Sequence, residues 1–508
     1  IYGRAIFWAY DPADGSMGML TVTVLQDEAG VIAAPMATSG LNFSVALKAD
    51  GTVWTWGDNT YCQLGRGYTG NDANGLYALP GQVLTAVGTP LTGIVYIAAG
   101  AYHSIAVDKD GRVWTWGYNG EGQLGRGNTS NSAYAIQVGG LLAGVKVVEA
   151  AAGERHSLVL TESGAVYAFG QNNRGQLGDT SETNRTVPVA VRGPLGGSND
   201  APQLDQVVSL AAGTATSAAL RMDGSVVVWG YNNVGQSGMG ISHASYTLVT
   251  PNYVTRENTA VATSYDRYLR GAIDLAAGGA FFLTIQRDGT VFSWGDNQYG
   301  TANTDEPLLV SGTGAWGDTL PVDVSAYGTH AYVTDSNSLT YAFGVNSTGT
   351  AKSQMGLPHT VETATAPSIL VKNAGTGRTD VDYYFTDTDS TVMAPILPVA
   401  PGGSHLVVVR EDGTLFAVGL NNYGQLGSYV TNAYGDETDA AANDNPANRY
   451  YLFRVGAEDA YSLSLEKTLA ITGTAQNEGV LPQTGKIAYV TLREGQSLTV
   501  DLSLATLA

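Results

Sequence analysis

The sequence predicts an all-β fold, a seven-bladed β-propeller of repeats with extra β strands from both termini, and three observations carry that expectation. One pattern returns seven times along the chain. Each copy places two alternating apolar/polar segments around a tight-turn signal, the signature of a half-buried hairpin. The composition is rich in turn formers and poor in charge, with 65 Gly and 28 Tyr among 508 residues and only 14% charged side chains.

The copies read ADGTVWTWGDNTYCQLG, KDGRVWTWGYNGEGQLG, ESGAVYAFGQNNRGQLG, MDGSVVVWGYNNVGQSG, RDGTVFSWGDNQYGTAN, SNSLTYAFGVNSTGTAK and EDGTLFAVGLNNYGQLG. Five of them hold Asp-Gly, at Asp50, Asp110, Asp223, Asp288 and Asp412, where a hairpin turn needs positive φ. The anchor glycines are Gly57, Gly117, Gly170, Gly230, Gly295, Gly344 and Gly419. Before them stand Trp56, Trp116, Phe169, Trp229, Trp294, Phe343 and Val418, sized to pack between neighbouring sheets. Two residues after the anchor every copy has Asn: Asn59, Asn119, Asn172, Asn232, Asn297, Asn346 and Asn421. A short amide there bonds nearby backbone and suits a turn, a structural role.

A glycine turn precedes each hairpin, as in AAGAYHS and AAGERHS, at Gly40, Gly100, Gly153, Gly213, Gly278, Gly328 and Gly402, with a strand leading into it. Each unit is then a sheet of three or four strands that cannot bury its faces alone. Seven such sheets set radially bury each other and leave short edges, which is a propeller.

Residues 98 to 125 and 151 to 178, which join the AAGxxHS turn to the VWTWGxNxxGQLG run, resemble the repeat of the regulator of chromosome condensation family. The resemblance covers about Gly40 to Gly427 and decays in the fifth and sixth copies, where Thr301-Ala302-Asn303 and Thr350-Ala351-Lys352 replace Gln-Leu-Gly. It implies a seven-bladed propeller and, for function, nucleotide exchange on a small GTPase with chromatin docking. Only framework residues match. The same alignment puts Cys62 in a slot that holds Gly in the other copies, so it reads as a tolerated turn substitution rather than a nucleophile.

The organisation expected is an N-terminal β segment at 1–39 serving ring closure or assembly, the propeller at 40–427, and an acidic loop with a C-terminal β segment at 428–508. AIFWAY and MLTVTVLQ at one end and KIAYVTL and SLTVDLSLATL at the other read as strands that close the ring or form a small module beside it. The chain begins at Ile1 without a basic-then-apolar leader, which reads as a processed or excised chain. No stretch approaches the roughly 18 apolar residues of a membrane span.

Charge and cysteine content exclude whole classes. A formal net charge of −20 with no basic run argues against a nucleic-acid binder. A single cysteine rules out an intrachain disulfide and a cysteine-based metal site. His103, His156, His330 and His405 share one repeat slot that elsewhere holds Phe43, Thr216 and Phe281. A position repeated around a ring reads as structural, where a catalytic histidine would be singular. No catalytic constellation is visible, and the expected chain is not an enzyme.

Binding residues are expected in the long connections at 66–92, 239–270, 350–395 and 428–450. Their tyrosines are Tyr246, Tyr253, Tyr265, Tyr268, Tyr383, Tyr384, Tyr429, Tyr434, Tyr450 and Tyr451, rigid contacts with a polar tip. The alternative is that they cap blade edges. No cofactor is expected. Calcium is the metal the acidic loops would suit, at Asp380, Asp382, Asp387 and Asp389 or at Asp436, Glu437, Asp439 and Asp444, with solvated acidic loops as the alternative, and no zinc site of the usual spacing is visible at His243 or His359.

From these features the chain is expected to be a non-enzymatic recognition or structural protein of an outer surface. That means a secreted or cell-surface adhesin or a virion appendage binding protein or glycan, with further copies of itself or other assembly subunits as partners. The location expected is extracellular, cell surface or virion. The alternative is guanine-nucleotide exchange or another regulatory protein-binding propeller, or an enzyme inhibitor.

Overall fold

The computed structural model describes residues 2–10, 17–25, 33, 35–71, 75–194, 202–240, 247–255, 268–296, 304–310, 320–335, 340–346, 355, 363–369, 399–409, 415–427, 449–455 and 487–489. They form seven four-stranded antiparallel sheets, a three-stranded sheet and a short two-stranded ribbon. The first strands of successive sheets touch one another all round, blade 7 returning to blade 1, so the sheets stand radially about an axis. The all-β seven-bladed propeller is the fold.

Blade 2 shows the unit: Ile94–Ala99, His103–Asp108, Val113–Gly117 and Ser132–Gln137, from the axis outward. The second strand is buried along its whole length, because neighbouring blades cover both faces. At the end of the third strand the pairing with the fourth slips at the anchor glycine. Thr115 faces Ile136, yet Gly117 faces Ser132. The same bulge recurs at Gly170, Gly230, Gly295, Gly344 and Gly419. Its φ lies between +100° and +113° in these blades and at +107° for Gly57, a region side-chain-bearing residues avoid.

Blade 1 begins with Met36–Ser39, and blade 7 ends with Arg449–Arg454. The ring therefore extends past both ends of the 40–427 span that the repeat marks, because these two strands lie outside the turn motifs. The terminal runs pair with each other. Tyr2–Tyr10 and Met17–Leu25 form a hairpin, and Ile487–Tyr489 adds in parallel to residues 6–8. Among the described residues no helix is long and apolar enough to cross a membrane.

The seams between blades are polar as well as apolar. Trp56, Trp116, Trp229 and Trp294 are fully buried. Each indole N–H donates to the backbone carbonyl of a Gln in the preceding blade: Gln425, Gln63, Gln176 and Gln236, at 2.8–3.0 Å. A buried serine hydroxyl meets the same row of carbonyls, Ser44 on Gln425, Ser157 on Gln123 and Ser217 on Gln176. Blade 7 thus meets blade 1 through the contacts used inside the ring.

Candidate functional site

The repeated histidines belong to these seams. His103, His156 and His405 are fully buried, and each Nε2 lies 2.9 Å from a serine Oγ of the next blade, Ser157, Ser217 and Ser44. Each of those serines already donates its only proton to a Gln carbonyl, so the histidine must be the donor. The ring is then neutral with its proton on Nε2. Burial pushes these three histidines down to about 3 and His330 to about 4. Where the preceding blade holds Phe43 instead, Ser104 Oγ is buried without a partner.

An acid dependence follows. Folded histidines with a depressed pKa stay neutral while the unfolded chain takes up protons below about 6.5. Their stabilisation is therefore complete above that pH and is lost as pH falls through the window towards 3. Urea unfolding of His156→Phe between pH 6 and 4 should show a pH slope shallower than the parent's by about 1 kcal/mol per pH unit. An unchanged slope would mean that His156 is already charged in the fold.

The repeated asparagines build the loop after the anchor. Asn119, fully buried, donates to the carbonyls of Asn128 and Ser130, accepts from Leu124 N–H, and its own N–H is held by Asn131. Asn59 and Asn172 repeat the arrangement with Leu64 and Leu177. Asn232, Asn346 and Asn421 accept from the N–H of Ser237, Met355 and Leu426. Asn297 lies outside the described residues. Cys62 has a φ of +69°, beside +87° for Gly122 and +69° for Gly175 in the same turn slot.

These loops and the glycine turns share one face of the ring, with the Asp-Gly hairpins on the other. Over blades 1 to 3 that face carries a cluster the insertions do not supply. Tyr61 of blade 1 meets Tyr102 and Tyr118 of blade 2 edge to face, with ring centroids 5.4 and 5.2 Å away, and Tyr102 and Tyr118 are 6.3 Å apart. Arg155 of blade 3 places its guanidinium 5.7 Å from the Tyr118 ring. It also pairs with Glu154 at 3.3 Å and Glu121 at 3.8 Å. Burial, then the Glu154 charge, raises the Tyr102 phenol above its usual range.

The tyrosines expected in the insertions are placed differently. Tyr253 and Tyr268 do meet, with ring centroids 4.5 Å apart, but at the Asp-Gly end of blade 4, where Arg221 donates to the Tyr253 hydroxyl at 2.6 Å. Tyr450 and Tyr451 lie in the outer strand of blade 7. Tyr246, Tyr265, Tyr383, Tyr384, Tyr429 and Tyr434 fall outside the described residues, as do Asp380, Asp382, Asp387 and Asp389 and the second acidic cluster. Among the described residues no group of three His, Cys, Asp or Glu side chains is placed to hold a metal ion.

Comparison with known proteins extends this picture. Residues 3–266 match the model of the RCC1-like domain, and residues 272–301 and 399–425 match the regulator of chromosome condensation (RCC1) repeat. The chain is 31% identical over 323 residues to the human probable E3 ubiquitin-protein ligase HERC6, covering 62% of this chain and 29% of that protein. It is 25% identical over 394 residues to the ultraviolet-B receptor UVR8 of Arabidopsis thaliana, covering 77% and 78%. Among solved structures, yeast RCC1 (Prp20) superposes with a TM-score of 0.58 at 18% identity, over 85% of this chain and 88% of that one.

These relatives correct two expectations. An adhesin or virion appendage of an outer surface is not what the chain resembles, since its relatives are named as a probable E3 ubiquitin-protein ligase and an ultraviolet-B receptor. The expectation of a chain that is not an enzyme is overturned by the same likeness to a probable ubiquitin ligase, of which this chain spans less than a third. A family model matched over more than half the length, on a ring of seven four-stranded blades, shows that the chain belongs to the RCC1-like domain family.

Proposed function

We propose that the chain is a regulatory protein-recognition propeller that binds a protein partner on the loop face over blades 1 to 3. The observation that carries this reading is the cluster of Tyr61, Tyr102 and Tyr118 beside Arg155. Tyrosine and arginine are the side chains that dominate binding energy at protein interfaces, and three rings already in contact lose little conformational freedom on binding. Tyr61 is 38% exposed.

The relatives support the regulatory setting. Yeast RCC1 (Prp20) has been solved bound to Kap60 and is described with binding properties to Gsp1p and histones. HERC6 is named for ubiquitin ligation, a reaction in which a protein is selected for modification. In this chain the loop face does the selecting.

A photo-crosslinking residue in place of Tyr61 tests the reading against the same residue in place of Asp110, on the Asp-Gly face. In extract of the native source, the position 61 probe should give a discrete adduct with a protein and the position 110 probe should not. Identical adduct patterns at both positions, or no adduct at 61, would overturn it.

A further inference from the structure

The seam between blades 3 and 4 and the seam between blades 1 and 2 use the same two repeat slots in different ways. At the first, Arg174, four residues after its anchor, lays its guanidinium 4.5 Å from the ring of Tyr231, one residue after the next anchor. At the second, Tyr61 occupies the slot of Arg174, and Tyr118 that of Tyr231. An aromatic ring therefore stands where the equivalent seam supplies a cation. Arg155 serves Tyr118 from blade 3, while among the described residues no cation lies over Tyr61 or Tyr102.

The surroundings favour positive charge. Glu154 and Glu121 share the single guanidinium of Arg155, and both are partly exposed, so two carboxylates face one cation. Asp58, buried, adds a third acid, and its charge reaches the Tyr102 phenol. The hydroxyls of Tyr61, Tyr102 and Tyr118 make no hydrogen bond within the described protein. The chain as a whole carries −20. The raised phenol of Tyr102 reports the same negative field, after burial.

We propose that the partner inserts an arginine side chain against Tyr61 and Tyr102, with Glu154 as its counter-ion. This rests on the reading that a protein docks on this face. A guanidinium is flat, stacks on aromatic rings and pairs with a carboxylate at once, the three contacts the site offers. The partner segment is accordingly basic, complementary to the acidic chain.

The probe is the peptide acetyl-Gly-Ser-Arg-Gly-Ser-Arg-Gly-amide, with a copy carrying citrulline, the neutral isostere, at both arginines. Titrated into the whole chain, the arginine peptide should bind about tenfold or more tightly than the citrulline peptide. Tyr61→Ala and Glu154→Gln should each weaken it severalfold, and Asp110→Asn on the far face should not. Thermal unfolding shows that each variant is folded. Equal affinity for the two peptides, or an equal loss in Asp110→Asn, would overturn the proposal. If the crosslinked adduct at position 61 survives Glu154→Gln unchanged, the arginine contact fails while the docking reading stands. If the arginine peptide binds through Glu154 but no adduct forms at 61, the docking reading fails instead.

Discussion

Replacing Gly170 with alanine is expected to destabilise the ring by more than about 3 kcal/mol, enough to leave blade 3 unformed under mild denaturation. Two costs add at this position. The backbone sits at φ +107°, where a Cβ is strained whatever the space. The new Cβ would also lie 2.7 Å from the Arg155 carbonyl oxygen and 2.9 Å from the His156 Cα, both backbone atoms of the paired strand. Backbone cannot swing aside as a side-chain tip can, so His156 must shift and its bond to Ser217 is lost with it. Urea unfolding of Gly170→Ala beside Val87→Ala measures the effect. Val87 is 85% exposed, so that control should change stability by less than about 0.5 kcal/mol. A Gly170→Ala protein as stable as the parent would show that the bulge does not need a glycine.

Asn119→Asp should be as damaging and should carry a pH signature. The side chain keeps its shape, so the change is purely chemical. Two N–H donors aimed at the Asn128 and Ser130 carbonyls become a carboxylate oxygen facing carbonyl oxygens in a fully buried place. A buried unpaired charge and two orphaned acceptors cost about 3 kcal/mol or more at neutral pH. Burial holds the new carboxyl protonated in the fold to a pH above its unfolded value of about 3.9. The folded state then binds more protons than the unfolded one above that pH, so stability relative to the parent falls as pH rises from about 4. Denaturant midpoints of both proteins at pH 4 and 7 check this. A gap that does not widen with pH would mean that water reaches position 119.

The blades are legible in the sequence because what makes them is local: Asp-Gly turns, alternating strands and a glycine before each Asn-containing loop. The seams are not, since their common acceptor is the backbone carbonyl of Gln63, Gln123, Gln176, Gln236 or Gln425, and a carbonyl has no letter of its own. The candidate face is not legible for a related reason. Tyr61, Tyr102 and Tyr118 occupy three different repeat slots and converge only because blade 2 follows blade 1 around the axis. The insertions point instead to Tyr253, which accepts from Arg221 at the opposite end of blade 4 and packs on Tyr268. The signal that could have found the face lies inside the repeat, at the two free positions of the AAGxxHS turn and those flanking Asn, where blades 1 to 3 hold tyrosine, arginine and glutamate.

Every joint in the ring but one is also crossed by the polypeptide, so its two sides remain tethered even when its contacts break. The joint between blades 7 and 1 has no such tether and rests on Ser44, Trp56 and the Ser39 hydroxyl on the Ala400 carbonyl. The pairing of residues 487–489 with residues 6–8 joins a segment that follows blade 7 to one that precedes blade 1. It works as a clasp, shortening the loop that must close whenever the ring springs open there and raising the local concentration of each side for the other.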